Sequence, residues 1–322
     1  QELYLSHGIT TVQDGMTHAA EWQALHALSE GGKLKVDVVS YIDIAGSKEL
    51  LAENRSYVKQ YRSRLKIGGY KVFLDGSPQA RTAWLTRPYE GGGGYRGYPL
   101  CASAALQEYV QLAKADGVQF LAHCNGDAAC QQFLDACIRA GGMEAYRPVM
   151  VHAQTLRKDQ IPLLRQAGIL PSYFVAHTYY WGDVHLKNLG QRARCISPVG
   201  STLRQGLPYT FHQDSPVLPP DMLFTVWCAV NRMTQEGAIL GEEERITAEE
   251  ALKGVTLYAA YQYFEEDLKG SIRPGKLANF VILDRDPTAV PPMDIKDIQV
   301  LETIREDESV WARNKEGEPV YG

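Results

Sequence analysis

The stretch RPVMVHAQTL, residues 147–156, runs three apolar residues, Val149, Met150 and Val151, into a single histidine, His152. A short apolar run between polar flanks is what a strand buried on both faces looks like. Taken alone, a histidine closing such a strand reads as an ordinary core or loop residue. Its neighbours in the chain change that reading. VQFLAHCNGD (118–127) carries its apolar run into His123, ILPSYFVAH (169–177) ends in His177, YKVFLDGS (70–77) holds Lys71, and LPYTFHQDSP (207–216) leads to Asp214. GITTVQDG (8–15) and KVDVVSYID (35–43) add two more strand-like runs. Helix-length segments separate the seven, among them 17–32, a stretch from the second strand to residue 64, 103–117 and 128–142. That βαβ rhythm implies a parallel sheet. With this many units a (β/α)8 barrel is favoured over an open sheet.

In a barrel, the carboxyl ends of parallel strands converge on one mouth, where barrel enzymes place their chemistry. Three histidines, a lysine and an aspartate at successive strand ends therefore point to a metal site. Imidazole nitrogens and carboxylate oxygens suit zinc or a similar divalent ion. Cys124, next to His123, should face the other way.

Composition narrows the partners. The 322 residues are 45% hydrophobic and 22% charged with a net charge of -5, and no Lys/Arg run appears. This argues against nucleic acid or a membrane as the main partner and for a small molecule. The six cysteines, at 101, 124, 130, 137, 195 and 228, contain no CxxC pair and read as reduced thiols. With no run of 18 apolar residues and no signal-peptide pattern at Gln1, the expected location is cytoplasmic. A homodimer is the assembly allowed for.

The order Lys, His, His, Asp on strand ends, with GITTVQDG, KVFLDGSPQARTAWLTRPY (71–89), VHAQ (151–154), SYFVAHTYYWGD (172–183), HQDSPVLPPD (212–221) and GSIRPGKLANFVILDRDP (270–287), resembles the amidohydrolase superfamily. More narrowly it resembles amidohydrolase family 3, the YtcJ-like proteins that include N-substituted formamide deformylases. The resemblance runs over essentially the whole chain. It implies that Lys71 is a carboxylated lysine bridging two metals, that His123 and His152 are ligands of one of them, and that Asp214 is both ligand and proton carrier. His177 would lie on the substrate side of the mouth. The implied reaction is hydrolysis of a C–N bond by metal-activated hydroxide, with zinc as the expected ion.

One feature of that family is missing. Its first strand carries a His-x-His pair, and no such pair occurs here; His7 and His18 are not spaced for it. The first barrel strand and its pair are therefore expected upstream of Gln1, which would leave residues 1–270 as barrel strands two to eight. Residues 271–322 would be the C-terminal strands of a small β-sandwich, at 279–286, 300–307 and 309–314. The flanks of the gap, in TTVQD and YTFHQ, should expose unpaired backbone.

The remaining candidates divide between binding and scaffolding. Arg81 could grip a substrate carboxylate or anchor its own loop. Tyr179 and Trp181 line a pocket or close the mouth. The glycines 91–94 lack the lysine and hydroxyl of a phosphate loop and read as a mouth loop. Arg232 reads as structural, and Asp214 has a plain alternative as a turn residue. His212 shares a face with Asp214, but the family pattern gives it no ligand role. An ester, lactone or phosphotriester hydrolase, or a barrel kept only for binding, stays open as an alternative function.

Overall fold

Valine, isoleucine and tyrosine dominate the second strand, DVVSYID, and all seven of its residues are buried. A strand covered on both faces needs apolar groups on both. In the computed structural model, which describes residues 1–313 and 319–320, it is the second of seven parallel strands lying side by side in chain order. These are β1 (Thr11–Thr17), β2 (Asp37–Asp43), β3 (Leu65–Phe73), β4 (Gln119–Cys124), β5 (Val149–His152), β6 (Leu170–Tyr173) and β7 (Thr210–Phe211). Val39, Tyr41, Leu121, Val149 and Val151 fill the inside. The alternate residues, such as Val38, Tyr70, Phe120 and Met150, face outward into the core shared with the helices.

The helices Ala19–Glu30, Ser103–Asp116, Asp127–Ala140 and Ile161–Ala167 occupy the crossovers as expected. One expectation fails: the stretch from β2 to residue 64 holds only the helix Glu49–Glu53 and a 3-10 turn at Arg55–Tyr57. Lys59, Ser63 and Arg64 adopt left-handed backbone there, which an α-helix cannot accommodate.

This is a TIM-type barrel sheet whose two edges are β1 and β7, the flanks identified above. At the amino end of the strands a side chain spans the interval between them. The Gln262 amide accepts from Thr210 Oγ1 at 2.7 Å on β7 and donates to Gln13 Oε1 at 3.3 Å on β1.

The C-terminal strands form a separate antiparallel sheet, β8 (Phe280–Leu283), β9 (Val300–Arg305), β10 (Glu308–Arg313) and β11 (Pro319–Val320), in the order β11-β10-β9-β8. Asn314, the end of the last predicted strand, lies outside the described residues. Leu5, on the short helix Glu2–Ser6, is buried, and its carbonyl accepts from Thr303 Oγ1 of β9. Among the described residues all six cysteines are free thiols, and no helix is long and apolar enough to cross a membrane.

Candidate metal centre

The strand ends bring imidazoles into direct contact. His123, on β4, has Nδ1 3.0 Å from His152 Nε2, and His152 Nδ1 lies 3.0 Å from His212 Nε2. Ser172 Oγ lies 2.9 Å from His212 Nδ1 at one end of this chain. At the other, Gly76 O and Asn125 Nδ2 lie 3.1 and 3.0 Å from His123 Nε2. An imidazole nitrogen cannot both donate to Gly76 and accept from Asn125, so the direction chosen at His123 sets the tautomer of every ring down to Ser172.

Strict alternation does not predict the position of His152. Val149 and Val151 face inside and Met150 outside, so the next residue should face outside. His152 instead has φ 73°, and Ala153 after it has φ 46°. Two successive non-glycine residues in the left-handed region turn the chain sharply. The turn carries the His152 ring to His123.

Burial sets the protonation states. It pushes His123 down to about 3, with Lys71 adding to the effect, and pushes His212 down to about 3 for the same two reasons. Burial first, and His123 second, put His152 well below the ordinary histidine range. All three rings are neutral at neutral pH and keep a lone pair each.

Lys71, on β3, is buried with its Nζ 5.3 Å from the centre of the Phe73 ring, which itself packs on His123. Burial pushes its ammonium down to about 8, with Asp214 working against the shift. Asp214 has φ 54° just past β7. Its side chain reaches solvent at the mouth, yet enough protein surrounds the carboxyl to raise it, while Lys71 pulls it down. The carboxyl is therefore wet on one side and crowded on the other.

The other candidates fall into two groups. His177 follows β6 at the start of the short helix His177–Tyr180. It is buried against Phe174 and Trp181, with ring centres 4.6 and 4.5 Å away. Phe174 also touches His152 and His212, so His177 stands one ring away from the imidazole chain. Arg81 is committed elsewhere: its Nε donates to Asn188 Oδ1 at 2.8 Å and its NH2 to Glu90 O at 3.3 Å. Tyr179 packs on Phe224 and Trp227. Arg232 is fully buried and donates to the carbonyls of Leu240, Ser197 and Ile196, a scaffolding role.

Among the described residues no group of three or more His, Cys, Asp or Glu is arranged to hold a metal ion. The reason is visible at His123 and His152, whose nitrogens face each other rather than a shared point. The donor set nevertheless has the right chemistry: neutral imidazoles, a carboxylate and a buried lysine close to losing its proton. A cavity of about 100 Å³, lined by Tyr180, Gln213, Leu218, Pro219, Asp221 and Phe224, lies one residue from Asp214. The larger one, about 190 Å³, lies at the opposite end of the strands around Asp37, Glu265 and Lys269. It is remote from the imidazoles.

Two participants, Asp75 and His185, escape a reading of strand ends, and a third, His212, is read there without a role. Asp75 is fully buried, accepts backbone N–H groups from Asn125, Trp84 and Gly126, and is pushed up to about 7 by burial. It fixes the loop that carries Asn125. Gly126 is required there, because a Cβ would meet Trp84 O at 1.8 Å. His212, set on the face of Asp214 by its spacing but given no ligand role, stands in the imidazole chain beside His152. His185, eight residues past His177 and beyond a break at Trp181, carries no spacing signal.

Comparison with known proteins adds the last observation. A family model described as "Amidohydrolase family" matches residues 1–311. The chain is 26% identical to YtcJ, an amidohydrolase-like protein of Bacillus subtilis (strain 168), over 78% of this chain and 48% of that one. It is 25% identical to the N-substituted formamide deformylase of Arthrobacter pascens, over 93% of this chain and 57% of that one. The crystal structure of an uncharacterised metal-dependent hydrolase from Pyrococcus horikoshii superposes with a TM-score of 0.76 at 26% identity, covering 88% of this chain and 57% of that one. The chain thus spans about half the length of the relatives it matches.

Proposed function

The chain belongs to the amidohydrolase family, and on that footing we propose that it is a metal-dependent hydrolase cleaving an amide- or formamide-type C–N bond of a small molecule. One observation carries the reading: Lys71, Asp214 and the His123–His152 pair share a single mouth, in mutual electrostatic reach. These four residues would hold a divalent ion, zinc being the first choice for imidazole and carboxylate donors. When bound, such an ion lowers the pKa of water toward ~7 and polarises a carbonyl oxygen.

The chain's own groups supply the rest. As an ammonium, Lys71 repels a cation; lowered to about 8 by burial, it can shed its proton and take up CO2 as a carbamate. Asp214 is placed to accept a proton from water and return it to the leaving nitrogen, a role that suits a carboxyl raised toward working pH. Phe174 and Trp181, packed around His177, give the mouth an apolar wall for a substituent. The name of the Arthrobacter pascens relative favours an N-substituted formamide over an ester.

Metal analysis of the natural protein, with turnover measured on N-alkyl formamides and the matching formate esters, tests the reading. Formamide hydrolysis that tracks bound metal supports it. Ester or phosphotriester turnover alone would move the protein to another reaction on the same site, and metal-independent turnover would end the proposal.

A further inference from the structure

His177 stands one ring from the imidazole chain, across Phe174, and what it can do there depends on which nitrogen carries its proton. Its Nδ1 lies 3.2 Å from His185 Nε2. The two ring planes differ by only 5° while the centres are 5.4 Å apart. The centres are further apart than the nitrogens by about two ring radii, so the rings meet edge to edge in one plane and are not face-stacked. This is a hydrogen bond between imidazoles, and one ring must donate while the other accepts. Burial holds both rings below the ordinary histidine range, His185 at about 4, so each is neutral and has one proton to place.

The far side of His185 decides between the two arrangements. Its ring is fully buried, and its Nδ1 has no hydrogen-bond partner among the described residues. If His185 carried its proton on Nδ1, a buried N–H would be left without an acceptor, which folded proteins avoid more strictly than an unpaired lone pair. The proton therefore sits on Nε2 and is donated to His177 Nδ1. His177 must then carry its own proton on Nε2, a nitrogen that makes no hydrogen bond among the described residues and is not one of the sealed, unpartnered atoms. The bond made by one ring nitrogen sets the state of the other.

We propose that His185 is a positioning residue that locks His177 as the Nε2–H tautomer, so that His177 offers a hydrogen-bond donor to the substrate's carbonyl oxygen and does not act as a base. The role at the substrate rests on the hydrolase reading above; the tautomer rests on the geometry alone. His177 would strengthen its bond as negative charge develops on that oxygen, the situation in which a preplaced donor accelerates reaction. Trp181 and Phe174 clamp the ring so that the donor direction is kept.

The test is nitrogen NMR of zinc-loaded protein labelled with 15N-histidine, with the His177 signals assigned by comparison with His177→Gln. The expected result is a protonated Nε2 and a bare Nδ1 in the wild type, and a mixture of tautomers in His185→Leu. In kinetics on N-methylformamide, His185→Leu should lower kcat by about 10- to 100-fold, the range for partners that orient a site imidazole, with KM little changed. His185→Gln, which keeps a donor, should recover most of the loss. A wild-type His177 with its proton on Nδ1 overturns the proposal without any variant. So does a His185→Leu protein that folds and keeps both the wild-type tautomer and the wild-type kcat. If the tautomer is as stated but no formamide is hydrolysed, the locking by His185 stands and the hydrolase reading falls.

Discussion

At the amino end of the strands Lys66 is paired with Glu265, Lys269 lies 2.6 Å from Glu265 and 3.0 Å from Asp37, and Arg64 lies 3.0 Å from Asp37. At the carboxyl end of the same strands, Asn125 Oδ1, the side-chain oxygen and nitrogen of Gln154, Ser197 Oγ and His185 Nδ1 are buried with no partner among the described residues. His152, Ala153 and Asp214 hold left-handed backbone there. The floor therefore sets its buried lysines against carboxylates, while strain at the mouth falls on His152 and Asp214, residues that build the site. A barrel can tolerate the second only because the first is secure. Stability and chemistry have been placed at opposite ends, and each should respond to its own perturbations.

The largest separation is expected from Asp214→Asn. The amide still offers one oxygen but cannot take up a proton and pass it on, so turnover should fall by about 10²–10⁴, with most metal retained and the thermal midpoint nearly unchanged. Metal content, rate and melting measured on one preparation decide it. Retained turnover would remove Asp214 from the chemistry.

Next in size is a floor variant, Glu265→Gln. Burial acts to raise this carboxyl, but Lys269 and Lys66 outweigh it and hold it below its ordinary value. Losing the charge leaves two lysines facing each other across a buried amide, a change expected to cost about 3–5 kcal/mol. Turnover per folded molecule should stay near wild type. A stable variant with impaired catalysis would mean that floor and mouth are coupled and the division drawn above is wrong.

Acid should also distinguish the two ends. His185 has a folded value of about 4, below the ~6.5 of an unfolded histidine. Its contribution is complete above pH 6.5 and is lost as pH falls from there toward 4, because the unfolded chain takes up the proton that the folded ring refuses. The loss should be about 3 kcal/mol. Glu265, whose folded value is also lowered, contributes above the unfolded value of ~4.3 and is lost only below it. Urea unfolding at pH 7 and pH 5 should thus show a loss in wild type that shrinks in His185→Phe and persists in Glu265→Gln. Equal stability at the two pH values in wild type would contradict the burial of neutral imidazoles.

Much of this division was legible in the sequence, for identifiable reasons. Apolar runs at helix-length intervals announce β1 to β7, and polar groups closing those runs announce Lys71, His123, His177 and Asp214. Alternation gives the right face for His123, and it fails for His152, where two left-handed residues intervene. The pair formed by His177 and His185 was hidden because a helix break at Trp181 erases any fixed spacing between them. Arg81 was open between two roles in the sequence, and its partner Asn188 lies 107 positions further along the chain. The floor was invisible for a related reason: Lys66 and Glu265 are 199 positions apart, and charge alone does not say which residues meet.

The smallest effect tests whether the floor also restrains the sheet edges. Gln262 is nearly buried, and its side chain bonds to Thr210 on β7 and Gln13 on β1 while its carbonyl accepts from Gln119 on β4. Replacing it with leucine keeps the volume and the backbone bond but removes both side-chain links, leaving Thr210 and Gln13 without that partner. The cost should be about 1–2 kcal/mol, and it should be local. Backbone amides of β1 and β7 should exchange with deuterium faster, while those of β4, paired on both sides by β3 and β5, should keep their wild-type protection. If exchange accelerates evenly across all seven strands, Gln262 supports the whole barrel and not its two edges. If no strand changes, the edges are held by contacts along their length, and the amide is incidental.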